Sequence, residues 1–344
     1  MSIAVSDMAD IVISTLNSLY SRGTLVDQMT DLQEHVGFNE LLKNKKERLS
    51  AGRGIPIRAV VSPNGSAKNT GLYGTQEYNK SDALIEGSVP WRFTSANMVF
   101  DSMHESMNSG PEAILDEVKI EKARMMTDLV ELCERNVWGV PDNSADSKTP
   151  YGVEYWLVKN ATLGFNGGNP TGFTAGRAGI DSNTYTRNKN YTGKYTTVGD
   201  TVNTGLINMM EQAADKTDWI APAPLPQQAR TGYSRGIFCN HATKMEMKNV
   251  AKANNDSLGY DLSTKEPIFR GATIRYVPYF DSKTDGPVYM IDFNNFYPVI
   301  LKEWFLKDIQ VTQLPNQPTC FAMVTMLVWN IVCTNLRRQV VFYK

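Results

Sequence analysis

The stretch 109–139, SGPEAILDEVKIEKARMMTDLVELCERNVWG, carries the strongest helical signal in the chain. Ser109 and Glu112 have the spacing of a capping box, Pro111 suits a first helical turn, and Gly139 suits the residue just past a helix end. The apolar residues of this stretch form one stripe at helical spacing: Ile114, Val118, Met125, Leu129, Leu132 and Val137. The pattern predicts a helix over 111–138 of about 28 residues, roughly 42 Å long, which is more than one compact domain usually needs.

Two strand-like runs precede this helix. One covers 55–60, and the other alternates through Val89, Trp91 and Phe93. The segment between them is polar and is rich in Gly, Asn and Ser over 62–75. Because an isolated two-stranded ribbon with few apolar residues is marginal in water, the sequence predicts an extended hairpin that must lie on another surface.

The N-terminal region has a helical pattern of its own. An amphipathic helix is predicted within 6–20, with its apolar face made of Met8, Ile11, Val12, Leu16 and Leu19. A second helical stretch follows, and a third over 39–49 ends in a run of Lys and Arg, so that the region is acidic first and basic afterwards. Two interpretations stay open: helices packed on their own domain, or an arm that docks on a neighbour.

The rest of the chain alternates helices and strands. The segment 164–199 holds eight of the 25 glycines, and Asp181 is its only acid beside four Lys and Arg residues. A helix is expected after Asp200, a buried strand and a helix over 236–254, and a β-hairpin whose turn is Asp285-Gly286. The last stretch, 308–343, predicts two or three strands, and the fold class is therefore α+β.

Composition and motifs exclude several classes of protein. The chain has 344 residues, 42% of them hydrophobic, and 35 Lys and Arg against 36 Asp and Glu give a net charge of −1, which argues against disorder and against a tight grip on nucleic acid. Three scattered histidines and four cysteines without paired spacing indicate no zinc site, no catalytic triad and no disulfide framework. Two acidic loops fail the calcium pattern. We expect no cofactor, no membrane segment, no signal peptide and no enzymatic activity.

Several short motifs occur in an order that resembles the major capsid protein of tailed bacteriophages, the fold named after phage Hong Kong 97. They are Pro90-Trp91-Arg92-Phe93, Met98-Val99-Phe100, Asn108-Ser109-Gly110-Pro111-Glu112, Trp138-Gly139, Pro150-Tyr151-Gly152-Val153 and Ala178-Gly179-Ile180-Asp181. The resemblance extends from about residue 53 to the C-terminus. One departure is Asn188, which stands where an aromatic residue is expected in such proteins.

The resemblance implies a division of the chain. Residues 1–53 would be an N-terminal helical arm, 54–100 the extended loop that lies over an adjacent subunit, 101–199 with 306–344 the peripheral domain, and 200–305 the axial domain. The helix 111–138 would be the spine helix, and 164–199 a Gly-rich excursion within the peripheral domain. The candidates for contacts between subunits are Arg58, Lys68, Lys80, Trp91, Arg92 and Phe93.

The function that the resemblance implies is structural. Hexamers and pentamers of the chain would form an icosahedral head shell around the phage DNA, with weak non-specific contact to that DNA. A scaffolding protein, a portal and decoration proteins are the other expected partners, and the protein would be assembled in the host cytoplasm and found in the virion. The arm 1–53 would govern assembly.

Two other functions stay open. An encapsulin-like shell of the same fold would hold a protein cargo instead of DNA. A polysaccharide hydrolase is the enzymatic alternative, because loops rich in Gly, Asn, Tyr and Trp can bind sugars, although no pair of carboxylates has a supporting motif.

Overall fold

A computed structural model describes residues 35–60, 68–72, 84–101, 111–199, 204–217, 235–253, 267–313 and 319–344. The helices are α1 (Val36–Lys43), α2 (Pro111–Trp138), α3 (Val153–Trp156), α4 (Leu206–Lys216) and α5 (His241–Ala253), with 3-10 turns at Pro278–Ser282 and Leu336–Arg338. The strands are β1 (Glu47–Leu49), β2 (Ile55–Val60), β3 (Leu84–Val89), β4 (Arg92–Asp101), β5 (Tyr191–Lys194), β6 (Arg235–Cys239), β7 (Ile268–Phe269), β8 (Ala272–Tyr276), β9 (Val288–Asp292), β10 (Phe296–Leu301), β11 (Lys307–Gln313), β12 (Cys320–Cys333) and β13 (Val340–Tyr343). The α+β class is confirmed.

The long helix α2 has the predicted bounds. Met125 and Leu129 are buried as expected, but Leu132 is 38% exposed and its place on the buried stripe is wrong. Cys133, the next residue, is buried instead, because the side of the helix that faces the core in the last two turns contains Cys133 and not Leu132. The side chains of Ile114 and Val118 lie outside the described part of the structure, as does the capping residue Ser109.

A five-stranded sheet, called sheet I, packs against α2. Its centre is β12, which pairs antiparallel with β4 along one edge and with β11 and β10 along the other. The strand β1 joins the outer edge of β10 in parallel. The two or three terminal strands that the sequence predicts are therefore β11, β12 and β13, of which the first two lie in sheet I.

A six-stranded sheet, called sheet II, has the order β5-β13-β9-β6-β8-β7. The hairpin predicted at Asp285-Gly286 is wrong, because β8 and β9 lie on opposite edges of β6, the first parallel and the second antiparallel to it. Gly286 does lie in a turn, with a φ of 46°. The 3-10 turn Pro278–Ser282 comes before it, and between β8 and β9 the chain crosses from one edge of β6 to the other. A local turn signal does not specify which strand becomes the partner.

The second strand of the extended hairpin ends earlier than the sequence predicts. In the described residues, β2 pairs with β3, which ends at Val89, and Trp91 lies outside any strand. The residues from Arg92 onward belong to β4 and pair with β12 in sheet I over ten residues. The described parts of 54–100 are therefore the two strands of a ribbon and a strand of the main body.

Two further boundaries differ. The predicted helix over 39–49 ends at Lys43, and 47–49 form β1 instead, so the described end of the N-terminal region is part helix and part strand. The sheets also cross the expected division at 199 and 305, because β10 belongs to sheet I while β5 and β13 belong to sheet II. Met8, Ile11, Val12, Leu16 and Leu19 lie outside the described residues.

The largest core lies between the two sheets and the end of α2. Trp138 and Trp156 are buried there, and the ring of Trp138 packs on those of Phe238 and Phe280, at centroid distances of 5.2 and 4.8 Å. A second core fills the other face of sheet II against α4. The shared core is the reason that the two sheets form one packed body.

Candidate functional site

The ribbon β2–β3 has one buried and one exposed face near its base. Ile55, Ile57 and Val89 are buried, whereas Arg58 and Glu86 form a cross-strand ion pair on the outer face, Nε to Oε1 at 3.3 Å. Both of these charged side chains are largely exposed, so the pair contributes little stability to the ribbon. The base is held by apolar burial, and the sequence-predicted contact residue Arg58 lies on the solvent side.

A close backbone contact fixes the base of the ribbon on the Gly-rich segment. The amide of Ser88 donates a hydrogen bond to the carbonyl of Ala178, at 3.0 Å. Gly87 lies against the same carbonyl, and a Cβ at this position would come within 2.7 Å of that oxygen. Ala178 has a φ of 53° and its amide donates to the hydroxyl of Tyr155, at 2.9 Å, so the receiving backbone is itself held in place.

Arg177 organises the Gly-rich segment from the inside. It is 1% exposed, and its guanidinium donates to the side-chain oxygen of Asn190, at 2.7 Å, and to the carbonyl of Asn188, at 3.2 Å. Burial lowers the pKa of this guanidinium to about 10, so it still carries its charge at neutral pH. The segment 164–199 is therefore an ordered part of the body, in which hydrogen bonds from side chains organise the chain up to the strand β5.

Arg92, predicted as a contact between subunits, serves inside the chain. It is 6% exposed, and its guanidinium donates to the carbonyls of Asp146, Ser147 and Thr149 at 2.6, 2.7 and 3.0 Å. These bonds tie the start of β4 to the loop that follows α2. Because all of these donors are engaged within the molecule, we withdraw Arg92 as a contact candidate.

The other predicted contact residues have different surroundings. Trp91 is half-buried against the main core, and its indole N–H donates to the carbonyl of Gly52, at 2.9 Å. Phe93 is 62% exposed. Lys68 is exposed on the short described piece 68–72, and Lys80 lies outside the described residues.

Phe93 begins an apolar face of sheet I. Alternate residues of β4 point to the same side, and Val99, 48% exposed, lies on this side with Phe93. Across the sheet, Ile309 of β11 is also exposed and is paired with Val324 of β12. Val324 is in turn paired with Asn97 of β4, which points to the same side as Phe93. We call Phe93, Val99, Ile309 and Val324 the outer face of sheet I; α2 packs on the opposite side.

The helix α1 is bound to the body at both of its ends. The carboxylate of Glu134 on α2 accepts hydrogen bonds from the amides of Gly37 and Phe38, at 2.8 and 2.6 Å. Further along, Glu40 forms an ion pair with Arg275 of β8. The helix α1 therefore connects α2 with sheet II, a link that the sequence pattern did not indicate.

Metal-binding groups and reactive thiols are two kinds of chemical site that the described residues could hold. They hold no group of three or more His, Cys, Asp or Glu side chains that could bind a metal. Burial raises the pKa values of the Cys133, Cys239 and Cys333 thiols to about 12, so these thiols are protonated and poorly nucleophilic. Among the described helices, none is both long enough and apolar enough to cross a membrane.

Comparison with known proteins decides the fold. No protein-family model matches the chain, and no curated protein matches it. A chain from the capsid asymmetric unit of cyanophage A-1(L) superposes with a TM-score of 0.65, at 12% identity, over 92% of this chain and 94% of its own. This chain has a tailed-phage capsid fold.

Other solved structures share this capsid fold. A chain from the capsid of the native GTA particle has a TM-score of 0.56, at 12% identity, over 93% of this chain and 96% of its own. A chain of Mycobacterium phage Che8 has a TM-score of 0.50, at 12% identity, over 93% and 94% of the two chains. The resemblance that the order of motifs indicates is confirmed for the fold, although almost nine residues in ten differ.

Proposed function

We propose that the chain is the major structural subunit of a phage head, with the Hong Kong 97-like arrangement of a spine helix, an extended ribbon and two domains. The observation that carries the proposal is the superposition on the cyanophage A-1(L) capsid chain over nearly the full length of both chains. Hexamers and pentamers of the chain would close into an icosahedral shell around the packaged DNA. In this role the protein is a container and not an enzyme.

The division into domains largely follows the sheets. We assign sheet I, α2, the Gly-rich segment 164–199 and β13 to the peripheral domain, and β6, β7, β8 and β9 of sheet II with α4 and α5 to the axial domain. The N-terminal arm 1–53 would meet a scaffolding protein during assembly, while a portal and decoration proteins would join the shell in the virion. In this assignment β5 and β13 would be peripheral strands that join sheet II through the pairing of β13 with β9, and the core common to both sheets supports two domains packed as one body.

The ribbon and the outer face of sheet I supply surfaces for symmetric assembly. The base of the ribbon is docked on the body, and Leu72, on the short described piece between its strands, is 89% exposed. A shell repeats each contact many times by symmetry, so modest apolar contacts are sufficient to hold it. The ribbon of one subunit would lie on the next subunit, and Phe93 is the aromatic contact candidate with an exposed side chain, beside the exposed cations Arg58 and Lys68.

The particle size of the purified protein tests this proposal. We expect closed shells, tubes, or free pentamers and hexamers in light scattering and negative-stain images, with a scaffolding protein added if the chain alone stays small. Packaged nucleic acid would distinguish a phage head from an encapsulin-like shell, which would copurify with a protein cargo. A monomer at all concentrations and salt conditions, with or without scaffold, would contradict the proposal.

Phe93→Ser is expected to weaken the shell and leave the subunit intact. The side chain is 62% exposed in the single chain, so its loss removes little burial there, whereas burial against a neighbour is worth about 1–2 kcal/mol per copy. Differential scanning calorimetry of assembled particles should show a lower dissociation temperature. Ser95→Ala, on the same side of β4, is the matched control and should leave the dissociation temperature of the particles unchanged. An unchanged particle with Phe93→Ser would remove this face from the contacts.

A further inference from the structure

Three exposed cations surround two aromatic rings where the Gly-rich segment meets α4 and the turn Leu336–Arg338. The guanidinium of Arg337 lies over the ring of Phe165, at 3.9 Å from its centroid. Phe165 packs edge-on against Tyr191, and Lys216 lies beside Tyr191, at 5.9 Å from the ring centroid. Arg187 is close enough to Arg337 to lower the pKa of that guanidinium, although burial contributes more to the shift. We call Arg187, Lys216 and Arg337 the basic patch.

The three cations of the basic patch form no ion pairs within the part of the chain that the structure describes. Elsewhere in the molecule, partly buried lysines are paired: Lys122 with Asp308, and Lys159 with Asp285. Around the patch, the segment 164–199 has four Lys and Arg residues against the single acid Asp181, a net charge of +3 in a chain of net charge −1. Positive charge is thus concentrated here.

Hydrogen bonds fix the backbone beside both arginines of the basic patch. The carbonyl of Asn188, next to Arg187, accepts from the buried Arg177, and the amide of Asn188 donates to Tyr185, at 2.8 Å. On the other side, the amide of Arg337 donates to the side chain of Asn335, at 3.1 Å. Holding like charges together costs energy, and a bound anion with oxygen atoms placed for guanidinium donors removes that cost.

We propose that the basic patch binds phosphate groups of the duplex DNA backbone, an inference that rests on the proposed role as a head subunit. Planar guanidiniums donate to phosphate oxygens in pairs, and the contact reads no base sequence. Three cations account for only a few phosphates per subunit. Each contact is therefore weak and salt-sensitive, and it is multiplied by the number of subunits.

The salt dependence of DNA binding tests the assignment. The full-length protein is titrated into a fluorescent 30-base-pair duplex of random sequence, and the anisotropy is followed at several salt concentrations. In the variant with both Arg187→Gln and Arg337→Gln, loss of two phosphate contacts should make the slope of log K against log salt shallower by about 1.8. The matched control carries Arg124→Gln and Arg135→Gln on the exposed side of α2, with the same change of net charge, and should keep the wild-type slope.

Every other outcome overturns the proposal. Equal slopes of log K against log salt for the patch variant and the control would mean that DNA binding responds only to the net charge of the protein. Absence of DNA binding by the wild type would mean that no phosphate site exists. A variant that binds DNA normally but no longer assembles would assign the patch to a contact with another protein. Particle size without DNA is measured in parallel, so a failure of shell formation is recorded separately from a failure of DNA binding. Melting temperatures equal to that of the wild type show that the variants are folded.

Discussion

Gly87→Leu is expected to abolish closed shells while the isolated chain still folds. A Cβ at this position would meet the carbonyl oxygen of Ala178 at 2.7 Å and the side chain of Ile180 at 3.1 Å, so the base of the ribbon must move away from the Gly-rich segment. Overpacking of this kind costs about 1–3 kcal/mol, which a chain of this size tolerates. The ribbon strands are about 20 Å long at 3.3 Å per residue, so a tilt at the base becomes a large displacement at the tip.

The measurement compares assembly with folding. Electron microscopy and sedimentation report the yield of shells, and circular dichroism with thermal melting reports the fold of the subunit. Ser88→Ala is the control, because its exposed side chain is lost while its amide still donates to Ala178. Normal shells from Gly87→Leu would mean that the orientation of the ribbon is not set at this contact.

Elements with a local signature could be predicted from the sequence. Capping residues, a proline at the first turn and a regular apolar stripe all lie within 109–139, and the helix Pro111–Trp138 has the bounds that they indicate. The helix His241–Ala253 is a second case, since Asn240 accepts from the amide of Thr243 and caps it, at 3.0 Å. Such capping signals involve residues within one turn of the helix, so they can be recognised from the sequence without knowledge of the fold.

Contacts between distant parts of the chain could not be predicted. The resemblance implies that Arg92, in the motif Pro90-Trp91-Arg92-Phe93, contacts a neighbouring subunit, but the carbonyls that bind it come from a loop more than fifty residues later in the same chain. Gly87 is one of 25 glycines, and only the position of Ala178 gives it a role. The same limit explains the wrong hairpin at Asp285-Gly286, because the strand that separates β8 from β9 comes from earlier in the chain.

The largest loss of subunit stability is expected from Glu134→Ala. The carboxylate is buried, and besides the amides of Gly37 and Phe38 it accepts from the indole N–H of Trp138, at 2.7 Å. Alanine leaves all three donors buried without an acceptor, and the first two are amides at the open N-terminal end of α1. We expect a loss of about 3–5 kcal/mol in the free energy of unfolding, measured by urea denaturation at pH 7.

Glu131→Ala is the matched control, one turn earlier on the same helix. Its carboxylate is exposed and paired only with Arg135, at 2.9 Å, and such a pair on a helix surface is worth about 0.3–0.5 kcal/mol. A loss in Glu134→Ala as small as that of the control would mean that α1 is held by its apolar contacts alone. Faster hydrogen exchange confined to 36–49 in Glu134→Ala would show that this helix and β1 detach together.

The stability difference between the wild type and Glu134→Ala should also depend on pH. Burial raises the pKa of Glu134 above its ordinary value of 4.5, against the opposing effect of the N–H donors and of nearby His35. The folded protein therefore binds this proton more readily than the unfolded chain. The part of the stability contributed by Glu134 that comes from this proton is complete below pH 4.5 and is lost as pH rises through the higher folded-state pKa, whereas the three hydrogen bonds to the carboxylate remain at pH 7. Only the wild type carries this carboxyl. The difference in the free energy of unfolding between the wild type and Glu134→Ala should therefore widen as pH is lowered from 7 toward 4.5. A difference that narrows would mean that the amides of α1 favour the ionised carboxylate more strongly than burial opposes it.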